Sequence, residues 1–365
     1  MGKIAVVGCG WMGRAIVYAL HKLGHDLILI ERDGKAAMGA RSQWKSVGLE
    51  MSKEIPDWFA TEVDEKLFEE DVDLVVSAAP YVANLTIGPM CVDHGVRYCD
   101  LGGNPKISKE IQFYADKKQT HQPVFTDLGM APGHINFVAE DILERDLKIE
   151  SLFLYVGGLP QRHIATGKLK YNLVFSLEGL INEYSGHCEI LENGKIVEAN
   201  TLTGLEDFGD YEAFYTKGGL TLDAIKAKGV KNCAYRTIRY KGHRDCIQFL
   251  LEDTHLPQNE IRDILRHTCP PIKDDLIKIC VRYKVSSPWN FFNLLGTEIK
   301  ADKNWTAMQI GTAYPAAAVA SLMAQGKMDG KPVLNYSDVG FDEYQHLLYN
   351  IDKSVPWDLY PLDEF

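Results

Sequence analysis

Glycines stand at positions 8, 10 and 13 of the run Gly8-Cys9-Gly10-Trp11-Met12-Gly13, between an apolar stretch, Ile4-Ala5-Val6-Val7, and an apolar-periodic one from Ala15 to Leu23. The chemistry of that spacing is pyrophosphate binding. Gly8 permits a tight turn, Gly10 leaves no side chain where phosphates approach, and Gly13 lets a helix pack on a strand. The backbone of Cys9, Trp11 and Met12 then lines a dinucleotide. Glu31 ends the next β-rich run, Asp26 to Ile30, eighteen residues past Gly13, where an acid accepts hydrogen bonds from the adenosine ribose hydroxyls. Its carboxylate repels a 2′-phosphate and so favours NAD, whereas Arg32 beside it could pair with that phosphate and leaves NADP open. Ala78, Ala79 and Pro80 close the apolar run from Val72 and are expected against the same cofactor, because ligands sit beyond the carboxyl ends of parallel strands. By the same rule Asp100 and Asp127, at the ends of two further predicted strands, are candidates for proton transfer or substrate orientation. An Asp beside glycine also serves as a turn or helix cap.

The elements that position these residues alternate. Helices are predicted over Ala83 to His94 and Lys106 to Lys118, and strands over Val96 to Asp100 and Pro123 to Asp127. Gly48 to Met51 reads as a short third strand, Glu62 to Glu70 as a charged helix, and His134 to Arg145 as a helix opened by Pro132-Gly133. From Leu152 to about Val285 the texture changes to strand-like segments between glycine turns: Phe153 to Val156, Leu169 to Ser176, His187 to Leu191 before Asn193-Gly194, and Thr237 to Tyr240. Helices are expected at Leu177 to Tyr184, Leu222 to Lys228, Gln258 to His267 and, rich in alanine, Trp305 to Gln325. The fold class is α/β: a Rossmann doubly wound parallel sheet plus an α/β domain with a mixed or antiparallel sheet. The expected domains are 1–127, dinucleotide-binding; 128–300, for substrate and dimerisation; and 301–365, helices returning to the first.

Composition narrows the partners. A net charge of −11 argues against a nucleic-acid surface and fits a small-molecule substrate. No apolar run reaches the ~18 residues of a membrane span, and the first strand begins at once, so the expected location is cytoplasmic. The eight cysteines form no CxxC pair and no Cys/His cluster at zinc spacing, which predicts free thiols and no metal.

At Asp127-Leu128-Gly129-Met130-Ala131-Pro132-Gly133-His134-Ile135-Asn136 the chain resembles the saccharopine dehydrogenase family and, within it, the NAD-dependent L-lysine 6-dehydrogenases. The likeness continues through Tyr155 to Pro160, Leu177 to Tyr184, Leu191 to Lys195, Glu212-Ala213-Phe214, Arg239 to His243, and Thr306-Ala307-Met308 with Gly311-Thr312. The resemblance implies a Rossmann domain completed by the C-terminal helices, an inserted α/β domain, a homodimer through that insertion, and oxidation of an amine-bearing carbon. One departure concerns substrate. Lysine dehydrogenases typically carry Asp-Gly-Leu-Arg after the Glu-Ala-Phe segment, and here the chain reads Thr216-Lys217-Gly218-Gly219-Leu220-Thr221.

Amine oxidation needs a base or a neutral amine, and a cation for an α-carboxylate. Arg239 is the first choice for that carboxylate, since a guanidinium offers a two-bond fork, and Lys217 could supply a point charge. His243, able to titrate near neutral pH, is the first choice for a proton shuttle. Asn136, Tyr171 and Ser176 complete the candidate substrate contacts; capping or structural roles compete for each.

Overall fold

The computed structural model describes residues 2–46, 67–68, 71–145, 148–286 and 292–363. The chain divides into two units, Met1–Phe137 with Gln309–Val355 and Val138–Met308 with Pro356–Phe365. The boundaries expected at 127 and 300 therefore fall at 137 and 308. The final stretch joins the second unit instead of the first, because Tyr360 and Pro361 pair as a strand with Gly296 and Leu295.

Among the described residues the first unit holds five parallel strands, β1 (Lys3–Val7), β2 (Asp26–Ile30), β3 (Leu74–Ser77), β4 (Arg97–Asp100) and β5 (Val124–Phe125), in the order β2-β1-β3-β4-β5. Ile4, Ala5, Val6, Leu74, Val75 and Val76 are wholly buried, as strands sandwiched between helix layers must be. The order reverses between β1 and β3, which is where a doubly wound sheet opens a ligand crevice. Strand β5 is shorter than the Pro123 to Asp127 run expected. Pro123 has no N–H to donate, and Asp127 turns the chain away with φ at +66°. The expected strand at Gly48 to Met51 lies outside the described residues, as does most of the helix at Glu62 to Glu70. The helix Pro105–Lys118 shows how local rules set an end. Asn104 caps it by accepting from the Lys106 N–H, proline fills its first position, and Gln119 closes it at φ +51°.

The second unit is built on a mixed sheet of nine strands among the described residues. Along its main path β14 (Tyr360–Pro361), β13 (Asn293–Lys300), β12 (Asp275–Val285), β6 (Ile149–Pro160), β11 (Asn232–Tyr240), β10 (Tyr211–Tyr215) and β9 (Glu206–Phe208) follow one another, and the hairpin β7 (His187–Glu192) and β8 (Lys195–Asn200) branches from β11. Among the described residues β6 and β11 pair in parallel, and the other strand pairs of this sheet are antiparallel. The hairpin turns at Asn193 (φ +50°) and Gly194 (φ +77°), the left-handed pair its sequence anticipates. Leu169 to Ser176, expected as a strand, is irregular, and Lys170 sits within it at φ +46°. One core cluster packs Leu180 and Tyr184 of the helix Leu177–Tyr184 and Ile261 and Leu265 of the helix Gln258–Thr268 with Phe214 of β10.

Asp275 opens β12 wholly buried, and its two carboxylate oxygens accept the N–H groups of Ala307 (2.6 Å) and Met308 (3.0 Å), which begin the helix Ala307–Ala324. Those are donors a helix end leaves unpaired. Asp275→Ala is expected to cost about 1–2 kcal/mol of unfolding free energy, the scale of a lost cap, with Asp275→Asn recovering part of it. Urea unfolding of the two variants checks this.

Candidate active site

The C-terminal ends of β1, β3, β4 and β5 lie along one edge of the first sheet, and glycines bring them together. Gly8, at φ +97°, holds a backbone conformation that side chains rarely adopt, and a Cβ there would crowd the Ala78 carbonyl carbon at 3.1 Å. A Cβ on Gly13 would meet the Gly8 oxygen at 1.8 Å, so helix and turn touch through backbone. Gly10 differs: a Cβ there meets nothing within 4 Å. The helix Trp11–Lys22 begins on Gly10 with no side-chain cap and no acid in its first turn, which leaves its N-terminal dipole facing that open space. These residues fit a dinucleotide pyrophosphate.

Glu31 is tied to the turn. Its Oε2 accepts the Cys9 N–H at 2.6 Å, and its Oε1 accepts the Asp33 N–H at 2.8 Å. Arg14 donates from Nε to the Cys9 carbonyl at 3.3 Å, and Arg32 is exposed. Cys9 is a filler: burial, then the Glu31 charge, push its thiol up to about 12. Trp11 is exposed, Met12, Ala78 and Ala79 are half-buried, and Pro80 is exposed at the start of the helix Tyr81–Asp93.

Two carboxylates stand farther along the same edge. Asp100 is buried and fully engaged, accepting from the Tyr98 hydroxyl at 2.8 Å, the Gly102 N–H at 2.8 Å and the Asp127 N–H at 3.2 Å. Burial raises it, and those three donors oppose the rise. It organises the turn. Asp127 holds a left-handed backbone, pinned by the Tyr336 hydroxyl on its carbonyl at 2.8 Å. Its carboxylate accepts only hydroxyls among the described residues, Ser108 at 2.8 Å and Thr126 at 3.3 Å. Burial and the neighbouring Asp100 charge push it up to about 7. A carboxyl raised towards neutrality by burial and a neighbouring charge, and held in left-handed backbone, is suited to proton transfer. Gly102, at φ +73°, leaves the space Asp127 fills, for a Cβ there would lie 2.1 Å from Oδ1.

Several expected substrate contacts have other work. The Asn136 Oδ1 accepts the Gly133 N–H at 3.0 Å and closes the preceding turn. Ser176 caps the helix Leu177–Tyr184 by accepting the Gly179 N–H at 3.0 Å. The backbone N–H of Lys217 donates to the Glu183 carbonyl at 2.8 Å, a contact that assigns no role to its ammonium group. In the second unit, Arg239 starts a buried relay that runs from its Nε to the Tyr184 hydroxyl (2.7 Å), on to His243 Nε2 (3.0 Å), and from His243 Nδ1 to the Leu169 carbonyl (2.7 Å). Both imidazole nitrogens are used. Burial and the Arg239 charge depress His243 to about 3, so it stays neutral and positions Tyr184 in place of shuttling protons. Arg239 itself is only 2% exposed and faces Glu183, 3.4 Å from each oxygen, where an external carboxylate was expected. The Tyr171 ring lies 5.0 Å from the Arg239 guanidinium, and its buried hydroxyl has no acceptor among the described residues.

Sequence reading missed Ser108, Tyr336 and Glu183. The first two reach Asp127 from 19 and 209 residues away, and no local pattern marks such contacts. Glu183 follows the Ser176 cap on a short amphipathic helix, where an acid reads as surface. Among the described residues no His/Cys/Asp/Glu group could hold a metal, and no helix is long and apolar enough to cross a membrane.

Comparison with known proteins gives the same architecture a lineage. Residues 4–125 match the saccharopine dehydrogenase NADP binding domain, and residues 129–354 the saccharopine dehydrogenase C-terminal domain. Rat mitochondrial alpha-aminoadipic semialdehyde synthase is 27% identical over 188 residues, which is 48% of this chain and 20% of that protein. The saccharopine dehydrogenase [NADP(+), L-glutamate-forming] of Schizosaccharomyces pombe is 29% identical over 143 residues, 37% of this chain and 31% of that one. The matches thus span a fifth to a third of these relatives. Apo saccharopine dehydrogenase (L-Glu forming) from Saccharomyces cerevisiae has the same fold, with a TM-score of 0.74 at 12% identity and 99% coverage of both chains. With both domain profiles matched in order, one covering more than half of its length, the chain belongs to the saccharopine dehydrogenase family.

Proposed function

We propose that the protein is a nicotinamide-dependent oxidoreductase acting on the amine-bearing carbon of an amino acid, with a lysine-type side-chain amine as substrate and NAD as cofactor. The observation that carries the reading is Asp127, a carboxyl pushed up to about 7 at the carboxyl edge of a parallel sheet that also carries the glycine turn. An amine must be neutral when hydride leaves its carbon, and Asp127 can take the ammonium proton. A nicotinamide, when bound, supplies the hydride acceptor; water opens the resulting imine to a carbonyl compound and ammonia. Gly8, Gly10, Gly13 and Glu31 would hold the dinucleotide, and Asp100 keeps Asp127 in place. Homodimer assembly belongs to the same proposal and rests on the family resemblance; a cytoplasmic location belongs to it too and rests on the lack of any membrane-length apolar run in the sequence.

A second reading, cleavage of a secondary amine such as saccharopine, is supported by the names of the curated relatives. It asks for more basic groups, because the substrate carries a second dicarboxylic arm. Arg239, already facing Glu183, weighs against it. Reduced-nicotinamide absorbance followed with L-lysine and with saccharopine, each with NAD and NADP, tests the choice. Turnover of lysine is expected; turnover of saccharopine alone moves the assignment to the second reading, and turnover of neither removes both.

For the cofactor, Glu31→Ala is expected to weaken NAD by about 1–2 kcal/mol, the value of a charge-assisted hydrogen bond, and to leave NADP unchanged or improved. Fluorescence titration of both reduced cofactors checks this. Equal weakening of the two would make Glu31 a brace for the Cys9 turn and nothing more.

A further inference from the structure

Arg236 and Arg239 are three residues apart on β11, so they point to opposite faces of the second sheet. On the Arg236 face, register sets Arg236 against Tyr155 on one side and Tyr215 on the other, and Arg282 against Phe153. Arg236 stacks 4.4 Å over the Tyr215 ring, and Arg282 lies 5.2 Å from the Phe153 ring centre. Both arginines share one carboxylate. The Nη2 of each is 3.1 Å from Glu206 Oε1, and Glu206 Oε2 accepts the Tyr155 hydroxyl at 3.0 Å. The Arg236 Nε donates to the Gly204 carbonyl and its Nη2 also to the Tyr215 hydroxyl, each at 2.9 Å.

That leaves donors over. Arg236 is only 6% exposed, yet its Nη1, like the Nε of Arg282, is buried with no acceptor among the described residues. Lysines on the same face are matched differently: Lys278 has Glu298 at 2.7 Å and Lys284 has Glu150 at 3.1 Å. Two guanidiniums dividing one carboxylate keep a net positive charge, and buried charged donors without acceptors are costly. The acceptor that suits a guanidinium edge is an oxyanion.

We propose that Arg236 and Arg282 form a binding site for a small oxyanion, a carboxylate or phosphate group, taken by their unused N–H groups between aromatic rings. Arg236 is the fixed base of the site. Arg282, whose side chain is 29% exposed, is the side from which a ligand enters, and Glu206 limits the affinity through its competing charge. This inference does not depend on the redox reading above.

The test is isothermal titration of the full chain with sodium phosphate against sodium chloride at equal ionic strength. Wild type is expected to bind one phosphate that R282Q binds at least about tenfold more weakly, the scale of a lost charge-assisted bond. Phosphate held by the glycine turn is common to both proteins and cancels in the difference. E206Q is expected to bind more tightly than wild type, and R282K, which keeps charge but not the fork, to fall between wild type and R282Q. Removing Arg282 leaves Glu206 paired with Arg236 and Tyr155, and R282K provides the comparison if R282Q does not fold. Identical titrations of wild type and both Arg282 variants would mean an adventitious ion only and overturn the proposal. So would an absence of phosphate uptake together with an Arg282-dependent dimer in sedimentation, which would assign the acceptor to a second copy of the chain.

Discussion

Asp127→Asn is expected to lower kcat by about 10²–10⁴-fold, the range lost when a positioned general base is removed, while making the first unit more resistant to unfolding at pH 8. The two effects have one cause. The folded-state carboxyl is pushed up to about 7 from an ordinary value of 3.8, so the fold favours its protonated form. Its contribution to stability is complete below about pH 4 and is lost as pH rises through 7. Asparagine carries no charge to desolvate, so the variant should gain about 1–3 kcal/mol relative to wild type between pH 5 and pH 8. Urea unfolding across that range, set beside the pH profile of kcat, makes the check. A variant that loses stability at pH 8, or keeps wild-type turnover, would return Asp127 to the role of a turn former.

Arg239→Ala should destabilise the second unit by about 3–5 kcal/mol, because it strips the partner from a carboxylate and from a buried hydroxyl at once. Glu183 and Tyr184 would both lose their guanidinium contacts, and the His243 bond beyond Tyr184 would loosen with them. Arg239→Lys keeps the charge and loses the fork, so an intermediate loss is expected. Thermal unfolding should register the alanine change as a fall on the order of 10 °C for a unit of this size. A stable Arg239→Ala protein whose only defect is a higher KM would instead make Arg239 the clamp for the substrate carboxylate.

The parts of the site that sequence made legible are the local ones. The glycine turn and the Asn193-Gly194 turn each act within a few residues, the backbone takes left-handed steps at Gly8, Asn193 and Gly194 as their sequence anticipates, and Glu31 follows directly on β2. Asp127 was legible as the end of a strand, but its elevated carboxyl was not, since Asp100, Ser108 and the surrounding burial come from other strands and helices. Arg239 and His243 were picked for what their side chains can do in water. In the fold both are buried, and the groups that quench them, Glu183, Tyr184 and the Leu169 carbonyl, depend on how the helices pack on the sheet. Residue type advertises chemistry; burial decides whether the group can still perform it.

Neither unit is made from one continuous stretch of chain. Val124 of β5 donates to the Pro332 carbonyl and accepts from the Leu334 N–H, and Arg97 of β4 is held by Asp329 at 2.5 Å. The first-made sheet therefore acquires its outer partner only after the whole intervening unit has left the ribosome, and the second sheet waits longer still for Tyr360 and Pro361. Contacts so distant in sequence slow folding and expose unpaired edges to aggregation meanwhile. A nascent chain of this protein must shelter an unfinished sheet edge through most of its own synthesis, and fragments cut at either unit boundary would keep that edge open for good.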